Sequence, residues 1–142
     1  MLVSPPRLPD WAHRLDALCQ ERMHAPFAWG SNDCGSFGAD AVQAQHGRDT
    51  LAAARMPRTT SRAARRALGL SGGAHAVMAR AGLPEVLPAL AQRGDLVLLH
   101  QPTHGRRRRL LLGVCMGAWA VAPACHGLAT VPMHQAVAAW RT

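Results

Sequence analysis

Arg93-Gly94-Asp95 divides the chain into two stretches with different hydrophobic rhythms, and this change constrains the fold more than any other feature. Before it, apolar residues recur every three or four positions, the period of a helix with one buried face. After it come unbroken apolar runs of strand length. The first is Leu96-Val97-Leu98-Leu99 and the second Leu110-Leu111-Leu112-Gly113-Val114-Cys115-Met116, so the polar stretch over residues 101–109 reads as the connection of a hairpin. Gly117-Ala118 turns into a third run, Trp119-Ala120-Val121-Ala122, and a last strand over residues 128–131 precedes a short helix expected over residues 133–140.

In the first half, Asp10 is placed to cap a helix whose buried face is Trp11, Leu15, Leu18, Cys19 and Met23, ended by Pro26. Asn32 and Asp33 are capping residues before a second helix over residues 35–45, with Phe37, Ala41 and Ala44 on one side and Gly47 as its stop. Thr59, Thr60 and Ser61 offer caps for a short Arg/Ala helix ending at Gly69, and a further helix over residues 74–80 stops at Gly82. Helices first and a small antiparallel sheet afterwards make an α+β fold. At 142 residues, 49% of them hydrophobic, the chain reads as a single domain spanning 1–142.

The formal charge of +8 comes from sixteen arginines and no lysine. Among so many Ala, Gly and Pro residues this reads as a bias of a GC-rich coding sequence, and with two Phe and no Tyr there is little to stack bases on. Nucleic acid is therefore not the expected partner, whereas an acidic protein fits the charge. Cys19, Cys34, Cys115 and Cys125 form no CxxC pair, so neither structural zinc, a disulfide framework nor any other cofactor is expected. Met1-Leu2-Val3 leads straight into Ser4-Pro5-Pro6, with no leader or membrane anchor expected and synthesis in the cytoplasm.

Three stretches in order carry a family likeness: Phe27-Ala28-Trp29-Gly30-Ser31-Asn32-Asp33-Cys34, Arg93-Gly94-Asp95-Leu96-Val97-Leu98-Leu99, and Leu112-Gly113-Val114-Cys115-Met116-Gly117. Together they resemble the NlpC-type papain-like cysteine peptidases of cell walls, and most of all a phage-encoded, tail-associated branch that shares Gly127-Leu128-Ala129, Pro132 and a closing Ala139-Trp140-Arg141. The resemblance implies a papain-like fold with helices packed on a small antiparallel sheet and Cys34 as the position of the nucleophile. Unpaired N–H groups and the positive dipole end at a helix start favour a thiolate there and can hold an oxyanion, although a small buried residue suits the same position.

The departure concerns the base. In active relatives the second hairpin strand opens with a histidine, and the resemblance sets Leu111 in its place; the next strand, which supplies a polar residue to orient the imidazole, is apolar over residues 119–123. His104, in the loop before that strand, and His126, beside Cys125, are the candidate replacements. Two readings follow. In one, a degenerate papain-like module docks on other tail-tip proteins, made in the host cytoplasm and carried in the virion tail. In the other, an active cysteine hydrolase cuts the peptide stems of peptidoglycan during genome delivery, with His104 or His126 as base. The apolar Leu110-Leu111-Leu112 favours the first.

Overall fold

The computed structural model describes residues 5–55, 60–70, 72–101 and 109–142. Four helices come first: α1 (Trp11–Arg22), α2 (Cys34–His46), α3 (Ser61–Leu70) and α4 (Gly73–Arg80). They are followed by strands β1 (Glu85–Val86), β2 (Leu96–Gln101), β3 (Arg109–Cys115), β4 (Trp119–Ala124), β5 (Gly127–Pro132) and β6 (Ala136–Trp140). The strands form one sheet in the order β1-β6-β2-β3-β4-β5, antiparallel at every step. The chain is thus α+β, and no helix among the described residues is long and apolar enough to cross a membrane.

The helix α2 is built as its sequence suggests. Asp33 accepts the Ser36 N–H at 2.8 Å from the N-cap position, which satisfies one of the donors a helix start leaves free. Phe37, Ala41 and Val42 are fully buried, as is Leu15 of α1, and this layer packs on Leu96, Val114, Ala138 and Trp140 of the sheet. Gly38 brings α2 close to the hairpin, because a Cβ there would lie 2.8 Å from Leu112 Cδ2. The opposite sheet face carries a second cluster of Val97, Leu99, Cys115, Ala120 and Ala139, with Leu111 and Val131 packed against it. Strand alternation sorts neighbours onto the two faces.

Arg93-Gly94-Asp95 anchors the sheet to both ends of the chain. Asp95 is wholly buried; one oxygen takes the Arg7 guanidinium and the Thr142 N–H, both at 3.2 Å, and the other takes the Gln92 N–H at 2.8 Å and faces Arg141 at 3.0 Å. Gly94 sits at φ +95°, and a Cβ on it would fall 2.2 Å from Gln45 Oε1. That contact lets the buried Gln45 amide donate to the Gly94 carbonyl at 2.9 Å. A negative charge without water is costly unless it is paired and hydrogen-bonded, and here it is both.

Three expectations fail. The helix expected over residues 133–140 is a short 3-10 turn, Met133–Gln135, followed by strand β6. Three of the five residues of β6 are Ala, which is depleted in strands; β6 is extended because it fills the slot between β1 and β2, pairing Trp140 with both Glu85 and Leu96. Asp10 stands at the N-cap of α1 but makes no cap, its carboxylate binding Arg14 at 3.0 Å. Met23 lies beyond the end of α1 and is 49% exposed, since its backbone carbonyl is drawn to the Leu128 N–H at the edge of β5.

Candidate functional site

The approach to Cys34 is a braced loop. Asn32 donates to the carbonyls of Ala25 and Pro26 at 3.3 and 2.9 Å and accepts from Arg22 at 3.0 Å, while Arg22 also holds Asp40 of α2 at 2.6 Å. The second oxygen of Asp33 accepts the Gly30 N–H at 2.8 Å. Asn32 and Asp33, both buried, therefore fix the loop that delivers Cys34 to the first position of α2. The expected placement of Cys34 in the first turn of a helix packed on the hairpin is what the structure contains.

Across from the sulfur lies β3. The ladder between β3 and β4 pairs Val114 with Val121 and Cys115 with Ala120 and goes no further among the described residues. Two residues along in the same register, Leu112 would meet Pro123, which has no N–H to donate. Pro123 therefore offers the Leu112 carbonyl no donor, and the Leu112 backbone N–H lies toward Cys34, where it favours the thiolate. Leu112 faces α2, whereas Leu111 packs with the cluster on the far side. The position set for the imidazole by resemblance thus lies on the sheet face away from α2, and the next residue lies on the α2 face.

The electrostatics run against a reactive thiol. Burial pushes the Cys34 pKa up to about 11, the charge of Asp33 adds to this, and the N–H groups of Leu112 and Cys34 itself oppose it without prevailing. The expectation that the helix start favours a thiolate is therefore reversed: dipole and N–H groups are present, but desolvation and an adjacent carboxylate outweigh them.

Of the two candidate bases, His104 lies outside the described residues. His126 sits with Cys125 in the two-residue turn joining β4 to β5, and both are exposed. An imidazole the sequence reading passed over is His100, at the far end of β2. It follows Leu96 and Leu98 in the alternation and so lies on the face that carries α2, opposite Leu110. Its Nδ1 is buried without a hydrogen-bond partner among the described residues. Its signal was the phase of β2, legible once Leu96 is known to face the helices. No group of three His, Cys, Asp or Glu side chains among the described residues could hold a metal ion.

Beside the site the loop presents Trp29, 38% exposed, edge-on to Phe27 with ring centroids 4.7 Å apart, and Trp119 is 53% exposed at the start of β4. A family model described as a domain of unknown function, DUF6950, matches residues 6–142. The chain belongs to the DUF6950 family. No curated protein and no solved structure matches it. The match covers the whole site of this DUF6950 protein, from the Asn32-Asp33-Cys34 approach to the closing strand.

Proposed function

We propose that this DUF6950 protein is a degenerate papain-like module of the NlpC type that works by docking on other proteins of a phage tail tip rather than by cutting bonds. The observation that carries the reading is an apolar Leu112 on the sheet face that packs on α2, together with a Cys34 thiol whose pKa is pushed up to about 11. A cysteine nucleophile needs a base within hydrogen-bond reach and a neighbour that lowers its pKa, and among the described residues Cys34 has the buried carboxylate of Asp33 beside it and no hydrogen-bonded imidazole. The braced Asn32-Asp33 loop then serves as scaffold, and the exposed Trp29 and Trp119 give it the aromatic contacts that interfaces favour.

One feature supports the competing reading of a cysteine hydrolase acting on peptidoglycan stems: the unpartnered Nδ1 of His100 on the same sheet face as Leu112. The two readings part in a turnover assay on purified peptidoglycan with the wild type, Cys34→Ala, His100→Ala, His104→Ala and His126→Ala. The docking reading expects no stem cleavage by any of them, with Cys34→Ala still co-purifying with tail components. Cleavage abolished by Cys34→Ala and by one histidine change would overturn it.

A further inference from the structure

Every carboxylate of the chain is already engaged. Of the eight, seven face a basic side chain and the eighth, Asp33, is used up in the α2 cap. The arginines they hold are Arg7, Arg14, Arg22, Arg55, Arg93 and Arg141, so the excess positive charge resides elsewhere. On α3, Arg62, Arg65 and Arg66 are all exposed, and none has a carboxylate partner among the described residues. Their spacing of three and four residues sets them on one face, continued by the exposed Gly69. The helix is secured at its start by Thr60, whose hydroxyl accepts the Ala63 N–H at 3.1 Å, and packs chiefly against α4. It is an ordered, peripheral, cationic ridge.

We infer that the Arg62/Arg65/Arg66 face of α3 is an interaction surface for a carboxylate-rich patch on a partner protein. Like-charged side chains three and four residues apart are neighbours on this ridge, about 5–6 Å between Cβ atoms, so an anionic surface brought against it relieves their repulsion. Three guanidinium forks within one and a half turns match acidic side chains at the same helical spacing, each able to take a carboxylate in two parallel hydrogen bonds. A lipid surface fits less well, because Leu68 is a single exposed apolar side chain on α3 and the helix bears no aromatic residue to insert beside it. A single nucleic-acid strand lacks a platform, as no aromatic residue occurs between Phe37 and Trp119. A duplex calls for roughly six to ten phosphate contacts, more than this face supplies. The inference adds a partner chemistry to the docking reading and rests on it, but its test is independent of Cys34.

The probe is a short helical peptide with three Glu at spacings of three and four, labelled for fluorescence anisotropy, beside its Gln counterpart and a short DNA duplex. The wild type should bind the Glu peptide, and Arg62→Gln/Arg65→Gln/Arg66→Gln should weaken binding about tenfold. Arg106→Gln/Arg107→Gln/Arg108→Gln, which removes the same charge from another segment, should leave it nearly unchanged. The single change Arg65→Gln, with a smaller loss of two- to threefold expected on the same basis, covers failure of the triple variant to fold. Equal weakening by the two triple variants, equal affinity for the Glu and Gln peptides, tighter binding of the duplex than of the peptide, or no binding at all would each overturn the inference. Peptidoglycan cleavage would sink the docking reading without touching any of these outcomes.

Discussion

Alkylation of Cys34 by iodoacetamide tests the site at its physical root. A thiol of pKa 9.0 is about one-tenth thiolate at about pH 8, whereas one held at about 11 is about one-thousandth. The more basic thiolate is intrinsically the better nucleophile, with rate rising roughly as the 0.4–0.5 power of basicity, and this returns about tenfold of the hundredfold deficit. Cys34 should therefore react about tenfold more slowly than an ordinary thiol at this pH, before any steric shielding. Shielding lowers the rate at every pH alike, but only the raised pKa moves the profile. The assay is mass spectrometry of the Cys34 peptide after short pulses from neutral to strongly alkaline pH, with the exposed Cys125 as internal reference. The Cys34 rate should still be climbing above pH 9. Asp33→Asn keeps an acceptor for the Ser36 N–H while removing the charge, and should shift the profile to lower pH. A Cys34 profile that levels off at or below pH 9, or one indifferent to Asp33→Asn, would refute the claim that burial and Asp33 suppress the thiolate.

Three further outcomes are expected. Gly94→Ala forces a side chain to φ +95° and into Gln45 Oε1, so the strain and the displaced buried amide together should cost about 3 kcal/mol and lower Tm by about 10 °C, read by thermal unfolding. Buried His46 holds its Nδ1 3.2 Å from the Pro6 carbonyl, and burial depresses its pKa below 6.5, with the Pro6 contact opposing and Arg7 adding to the depression. The unfolded chain then binds the extra proton first, so its contribution is complete above about pH 6.5 and is lost as pH falls through the folded value; His46→Gln should flatten the slope of urea stability against pH in that acidic window. Leu112→His would put an imidazole on the face that meets Cys34, and should speed Cys34 alkylation at neutral pH severalfold, while an unchanged rate would mean that Leu112 does not govern access to a base.

Much of the fold was legible because its signals are local. The Asp33 cap, the buried face of Phe37 and Ala41 and the two apolar runs of the hairpin all follow from residues near one another in sequence. What failed depends on distant partners. Ala136-Val137-Ala138-Ala139-Trp140 is mostly alanine, which outweighs the local strand preference of Val137 and Trp140, and its extended form follows from two neighbours far away in the chain, the short β1 and the central β2. The reversal of the Cys34 pKa was illegible for the same reason: the helix start is written in residues 32–36, but the desolvation comes from the sheet folded against it.

The phase of β3 is a part of the site that the sequence leaves open. Leu110, Leu111 and Leu112 are identical side chains in succession, so no pattern of polar and apolar positions says which of them faces the helices. A shift of one residue moves a strand's whole set of side chains to the other face. The choice is made at the opposite end of the strand, where the Cys115 N–H donates to the Asp95 carbonyl and the Gly94 N–H to the Cys115 carbonyl, both at 2.8 Å. Those two bonds fix the register of Leu98 against Leu112, and Asp95 is itself fixed by Arg7, Arg141 and the last residue of the chain. The buried carboxylate thus decides, from a distance and through the pairing of one strand, that the side chain of Leu112 lies on the face of the sheet that packs on α2, against Gly38.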